Sequence, residues 1–175
     1  MNQVMRTPSS TTARFPAEYS QGKVDTSQHR DWDDVARLIA AAKNYWLATT
    51  TDDHRPYLRP VDGVFVDQTL AFGGSPETRW VRHLQQRSDV SVSLPDDDHA
   101  IILEGRVELV TDADAPVVRS VQAAQVAKYP QYFGGGEAPE FQPFWALRPA
   151  RVYAWSLSDF PSRATRFDLD LDRPA

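Results

Sequence analysis

Three runs of β-branched and aromatic residues succeed one another with only turn-length gaps, and this limits what the chain can fold into. Residues 45–51 (YWLATTT) read as a strand. Asp52-Asp53-His54-Arg55-Pro56 makes a turn, residues 57–66 a second strand, Asp67-Gln68 a further turn and residues 69–73 a third strand. Links this short cannot hold a crossover helix, so the neighbouring strands must run antiparallel. The pattern recurs downstream. Val90, Val92 and Leu94 alternate as a strand, residues 95–98 form an acidic turn, and residues 101–110 form a long strand in which Gly105 marks a bulge. Residues 144–157 supply one or two more strands, broken near Pro149, and residues 165–171 a last one.

Helices fill the segments between. In residues 31–43, Trp32, Val35, Ala36 and Ile39 recur at helical spacing, Asp33 and Asp34 suit the positive N-terminal end, and Asn44 is a stop. Gly73-Gly74-Ser75-Pro76 ends the third strand and opens a helix to about Arg87, with Ser75 as N-cap and Pro76 at the first helical position. Trp80, Val81 and Leu84 face inward there. Asp112 or Asp114 caps another helix, which reaches about Tyr129 and buries Val117, Val121 and Ala124. A six- or seven-stranded antiparallel sheet with peripheral helices closes most easily as a small barrel, which leaves few free edges. Residues 1–28 are polar and aperiodic and read as a flexible arm, free or lying on a partner. Residues 130–139, with Gly134-Gly135-Gly136 between prolines, read as a mobile loop that can serve as a lid. There is no internal repeat.

Composition narrows the function classes. A chain of 175 residues is enough for one sizeable core but not comfortably two. The net charge of -5 and the lack of a basic stripe argue against nucleic-acid binding. No apolar run approaches membrane-spanning length, and the first twenty residues lack the apolar centre of a secretory signal. The absence of cysteine excludes disulfides, thiolate catalysis and cysteine metal sites. These features point to the cytoplasm. The histidines His29, His54, His83 and His99 show no metal spacing, and no serine nucleophile elbow occurs.

The segment 73–83 (GGSPETRWVRH) has the sharpest chemistry. A glycine turn at Gly73 lets backbone approach a ligand closely, and a helix N-terminus presents free N–H groups and a positive dipole end. Ser75 and Thr78 add hydroxyls, and Arg79 and Arg82 lie on the first turns. The residues alone fit two descriptions: a phosphate site, or an ordinary capped surface helix with solvated arginines. Arg59-Pro60-Val61 in the second strand is likewise either a solvent-facing edge or an anion ligand, since Pro60 removes a ladder donor. Thr165-Arg166 is a third cationic step or a frayed tail. Trp80, Trp145, Tyr153 and Trp155 either wall a flat ring system or belong to core and interface.

In order and separation these motifs resemble the pyridoxamine 5'-phosphate oxidase-like superfamily. Arg59 sits where that family's second strand places a cofactor-phosphate arginine. Thr78-Arg79 resembles its Ser-Arg-Lys step, Ile101-Ile102-Leu103-Glu104-Gly105 its long strand ending in Glu-Gly, and Thr165-Arg166 its late Ser-Arg. The resemblance covers residues 31–171. It implies an α+β fold, a mainly antiparallel six- to seven-stranded split β-barrel with peripheral helices. Two departures matter: Trp80 and Val64 stand where the oxidase has lysines, and Ala100 and Ile102 replace polar residues. The resemblance therefore implies a relative other than the vitamin B6 oxidase itself.

What it implies about function is an oxidoreductase holding FMN, or an 8-hydroxy-5-deazaflavin coenzyme, at the interface of a homodimer, and moving hydride to or from a small organic substrate. Arg59, Pro60, Val61, Gly73, Ser75, Thr78, Arg79, Trp80, Arg82, Thr165 and Arg166 are the expected cofactor-binding residues, Arg166 reaching over from the partner. The alternative is a carrier or sensor that holds flavin, deazaflavin or heme without turnover; a third reading is an interaction module without cofactor. A barrel this small is filled by its own side chains, so the cofactor must lie in a surface groove that a second subunit closes, and Trp145, Tyr153 and Trp155 suit that interface.

Overall fold

Every pairing among the described strands is antiparallel, as the turn-length links require. The computed structural model describes residues 7–20, 28–132 and 140–169. In chain order the elements are β1 (Ser9–Thr12), α1 (Ala17–Ser20), α2 (Trp32–Ala41), β2 (Tyr45–Thr50), β3 (Pro56–Val61), β4 (Val64–Val66), β5 (Thr69–Phe72), α3 (Arg79–Gln86), β6 (Asp89–Ser93), β7 (His99–Val110), α4 (Pro116–Lys128), β8 (Phe144–Ser156) and β9 (Thr165–Asp168). Among these residues no helix is long and apolar enough to cross a membrane.

The sheet runs β1-β9-β8-β7-β6-β2-β3, and β5 pairs with both β4 and β8. Strand β8 is where the barrel splits. Its whole length pairs with β7, its first part with β5 (Leu147 with Leu70, Trp145 with Phe72) and its later part with β9 (Val152 with Phe167). The predicted bulge lies between these two branches, where the register of β7 on β8 shifts between Glu104 and Gly105. A Cβ on Gly105 would sit 2.6 Å from the Arg148 carbonyl oxygen, so only glycine lets the strands close at this point. The same bulge carries Pro149, and β8 is therefore one continuous strand rather than the two that a break at Pro149 would leave.

The helices pack two apolar clusters against the sheet. Trp32, Val35 and Ile39 of α2 and Trp80, Val81 and Leu84 of α3 join the larger one, with Leu47, Phe72, Leu103 and Phe167. Val117, Val118 and Val121 of α4 form the smaller one with Val64, Ala71 and Phe144. Strand β5 lies between them and is buried on both faces, which explains its uninterrupted TLAF run.

Four expectations change. The second strand is two strands, because the chain leaves β2 at Asp62-Gly63 and β4 turns to pair with β5. A Cβ on Gly63 would meet the Ala71 carbonyl at 2.8 Å, so the turn depends on glycine. Ser9–Thr12 of the expected arm pairs with β9, which together with the split makes nine strands. Helix α3 starts at Arg79 with Thr78 as N-cap, and not at Ser75-Pro76. Ser75 instead anchors a turn: its hydroxyl accepts from Glu77 N–H at 3.3 Å and its carbonyl from Thr78 N–H at 3.0 Å. Helix α4 has Ala115 as N-cap, because the Asp112 carboxylate is engaged by Asp114 N–H at 2.9 Å. The loop 130–139 lies outside the described residues from position 133 onward, as does the last expected strand beyond Leu169.

Candidate functional site

Alternation along β3 puts Tyr57, Arg59 and Val61 on the inner side of the sheet, opposite Thr49, Leu47 and Tyr45 of β2. Val61 enters the core, while Tyr57 and Arg59 lie toward the end of the strand that α3 crosses. Arg79 and His83 are four residues apart on α3 and share its face. His83 is only 6 % exposed and its Nδ1 lies 3.2 Å from the Thr49 hydroxyl, itself buried. The His83 and Tyr57 rings meet edge to face, with centroids 5.2 Å apart. Both arginines converge on this tyrosine. The Arg59 guanidinium lies 5.3 Å from the ring centre and donates to the Tyr57 hydroxyl at 2.9 Å. The Arg79 guanidinium lies 5.4 Å from the same ring.

Neither cation is neutralised. Among the described residues no carboxylate lies within salt-bridge distance of Arg59, Arg79 or Arg82. The Arg59 Nε is buried without a hydrogen-bond partner. Arg79, Arg82 and His83 form one wall of an open cleft of about 440 Å³, with Thr51, Asp53 and Arg55 opposite. On that side Arg55 bridges Asp53 at 2.7 Å, and Asp52 also lines the cleft. Bonds from Thr51 and Arg55 hold the Asp53 carboxyl down to about 2. The arginines without a carboxylate partner, Arg79 and Arg82, lie on the α3 side, where no side chain caps the helix N-terminus. These groups fit an anion such as a cofactor phosphate.

The other expected residues are placed differently. Pro60 is exposed on the outer face opposite Trp46. A Cβ on Gly73 would meet nothing, so the close fit is at Gly74, where it would lie 2.3 Å from the Trp80 ring. The glycine pair thus makes room for Trp80, which is a core residue packed on Phe72 at 6.2 Å. Thr78 donates its hydroxyl to the Ser75 carbonyl at 2.7 Å. Thr165 is fully buried, accepts from Arg30 N–H at 2.9 Å and donates to the Arg163 carbonyl at 3.0 Å. Arg166 is held by Asp168 through bonds of 3.0 and 2.7 Å. Its register partner is Tyr153, in the outward row that includes Ile102, Ser93, Trp46 and Pro60. Arg166 and Arg59 therefore lie on opposite faces, with four strands between theirs.

The outer face carries a broad groove of about 920 Å³ along β2, β6, β7 and β8, lined by Ala48, Ser91, Glu104, Arg106 and Arg148 among others. At the end of β2, Thr50 lines the groove and Thr51 the α3 cleft, and the two openings share no lining residue. Of the three late aromatics, Trp145 is buried in the chain's own core and is unavailable to an interface. Tyr57 and Thr49 are not among the residues that the sequence alone singles out. The signal for Tyr57 was its two-residue spacing from Arg59, which in a strand means a shared face.

The pyridoxamine 5'-phosphate oxidase family profile matches residues 32–158, from α2 to just past β8. The chain belongs to the pyridoxamine 5'-phosphate oxidase family. The match includes Arg59, Tyr57, Arg79 and His83 and stops before Thr165 and Arg166. The family's fold is the α+β split barrel described above, and solved structures agree. A conserved hypothetical protein of Mycobacterium tuberculosis is 17% identical over 77% of this chain and 89% of its own, with a TM-score of 0.58. A heme binding protein of Mycobacterium smegmatis is 21% identical over 76% of this chain, which spans 56% of that one, with a TM-score of 0.57. An F420 reductase is 19% identical over 66% of this chain and 93% of its own, with a TM-score of 0.50. No curated protein matches. Trp80 and Val64, which stand where the resemblance puts lysines of the oxidase, are both core residues.

Proposed function

We propose that this family member is an oxidoreductase that binds FMN by its phosphate at Arg59, Arg79 and Arg82 and moves hydride between the flavin and a small organic substrate. The observation that supports it is the convergence of Arg59 and Arg79 on Tyr57 without a neutralising carboxylate. Two guanidiniums brought together and left unpaired cost free energy unless an anion joins them. The flavin supplies the hydride chemistry when bound, and the protein supplies grip and orientation.

A second copy would close the outer groove, and Arg166 would then act from the partner, since within one chain it faces away from Arg59. The protein would act as a cytoplasmic homodimer, on the sequence features given above. The 8-hydroxy-5-deazaflavin coenzyme is the alternative occupant, because the barrel is shared with an F420 reductase. Heme or flavin carriage without turnover is the alternative role, because it is also shared with a heme binding protein. The absorption spectrum of the purified protein separates these: a flavin band, a deazaflavin band or a Soret band each selects one. Bleaching of the flavin band by a reduced nicotinamide cofactor, with reoxidation by an added acceptor, is the result expected. A colourless protein that takes up neither FMN nor deazaflavin would overturn the proposal.

A further inference from the structure

We infer that Tyr57 is the positioning residue of the anion grip and the determinant of preference for a phosphorylated over an unphosphorylated flavin; this rests on the phosphate reading just given. Two like charges from separate elements, a strand and a helix, do not settle side by side unaided. A carboxylate between them would hold them but would also cancel the charge that an incoming phosphate needs. An aromatic ring holds cations through its quadrupole and leaves their net charge intact. Tyr57 has this relation to both guanidiniums, at 5.3 and 5.4 Å, and its hydroxyl also accepts from Arg59 at 2.9 Å.

The ring is itself fixed. Its inward position on β3 packs it on the larger apolar cluster. His83 meets it edge to face, and His83 is anchored by Thr49, with both of these residues buried. Thr49 stands directly opposite Tyr57 in the ladder. The arrangement is thus a pedestal built by β2, β3 and α3 together. It holds both guanidiniums against one ring before any ligand arrives, which reduces the ordering cost of binding.

The test compares FMN with riboflavin, which differ only in the phosphate, using quenching of free flavin fluorescence by the apoprotein. Wild-type protein should bind FMN more tightly than riboflavin. Tyr57→Leu should weaken FMN about tenfold and leave riboflavin within about twofold. Tyr57→Phe keeps the ring and loses only the hydroxyl acceptor, so it should lose about threefold for FMN and rescue most of the preference. Inorganic phosphate should compete with FMN in the wild type and compete less well in Tyr57→Leu. Equal losses for FMN and riboflavin, or an unchanged preference in a folded Tyr57→Leu protein, would overturn the positioning role while leaving the phosphate reading intact. Should Tyr57→Leu not fold, a Tyr57→Phe protein with no loss of FMN preference and no weaker competition by phosphate would overturn the hydroxyl's part. A wild type that binds both flavins equally would remove the phosphate reading, and the inference with it.

Discussion

At the scale of single residues, the proposed phosphate grip would divide the work unequally. Thr78 spends its hydroxyl on the Ser75 carbonyl, and Arg59 is partly committed to Tyr57. Arg79 is exposed at the start of α3, stacked on Tyr57 and otherwise unpaired among the described residues. A charge-assisted bond from it to a phosphate is worth roughly 1.5 to 3 kcal/mol. Arg79→Ala should therefore weaken FMN by about ten- to a hundredfold and hardly change riboflavin. Its thermal midpoint should stay near that of the wild type, because an exposed arginine adds little stability. Isothermal titration with both ligands checks this. A loss shared by FMN and riboflavin would mean that Arg79 shapes the site without gripping the phosphate.

At the scale of elements, the break between β3 and β4 is held from outside. Lys128, at the end of α4, donates to the Gly63 carbonyl at 2.8 Å and to the Tyr45 hydroxyl at 3.0 Å, and the Tyr129 hydroxyl meets both the N–H and the carbonyl of Gly63. Burial pushes the Lys128 ammonium down from 10.5 to about 8. Between those values the unfolded chain holds a proton that the folded chain has released, so stability should rise with pH there. Burial also pushes the Tyr45 hydroxyl above its ordinary 10.0. Above that pH the folded chain keeps a proton that the unfolded chain loses, so stability should fall. The urea midpoint should therefore climb from about pH 8 to a maximum near 10, and Lys128→Met should flatten the climb. A flat wild-type profile across that range would show that Lys128 keeps its charge in the fold. The prediction of one strand over residues 57–66 failed here for a physical reason: the apolar alternation runs through Asp62-Gly63, and the turn is imposed by the distant neighbours Ala71, Lys128 and Tyr129.

For the whole molecule, the proposed homodimer has two routes, along a sheet edge or across the open outer face. Among the described residues β3 is a sheet edge, and Pro56 and Pro60 remove N–H donors from it, which disfavours edge-to-edge addition. Face-to-face association is left, over rows that expose Leu58 (59 %) and Trp46 (37 %). Light scattering at micromolar concentration should give a dimer. Leu58→Glu should give a monomer with unchanged far-ultraviolet dichroism, since the side chain is exposed within one chain. A monomeric wild type would exclude the shared cofactor site.

Local pattern in the sequence was sufficient for the antiparallel hairpins, the positions of three helices and the bulge at Gly105. Each depends on short-range periodicity or on one residue's backbone freedom. Tertiary structure alone decided that β8 feeds two branches, that Trp80 and Trp145 fill the core, that Arg166 faces away from Arg59, and that Tyr57 gathers both cations. Those outcomes depend on pairings between distant segments, Leu70 with Leu147 and Thr165 with Ala154 among them. A residue's spacing within its own strand or helix carries no trace of which distant segment will lie beside it.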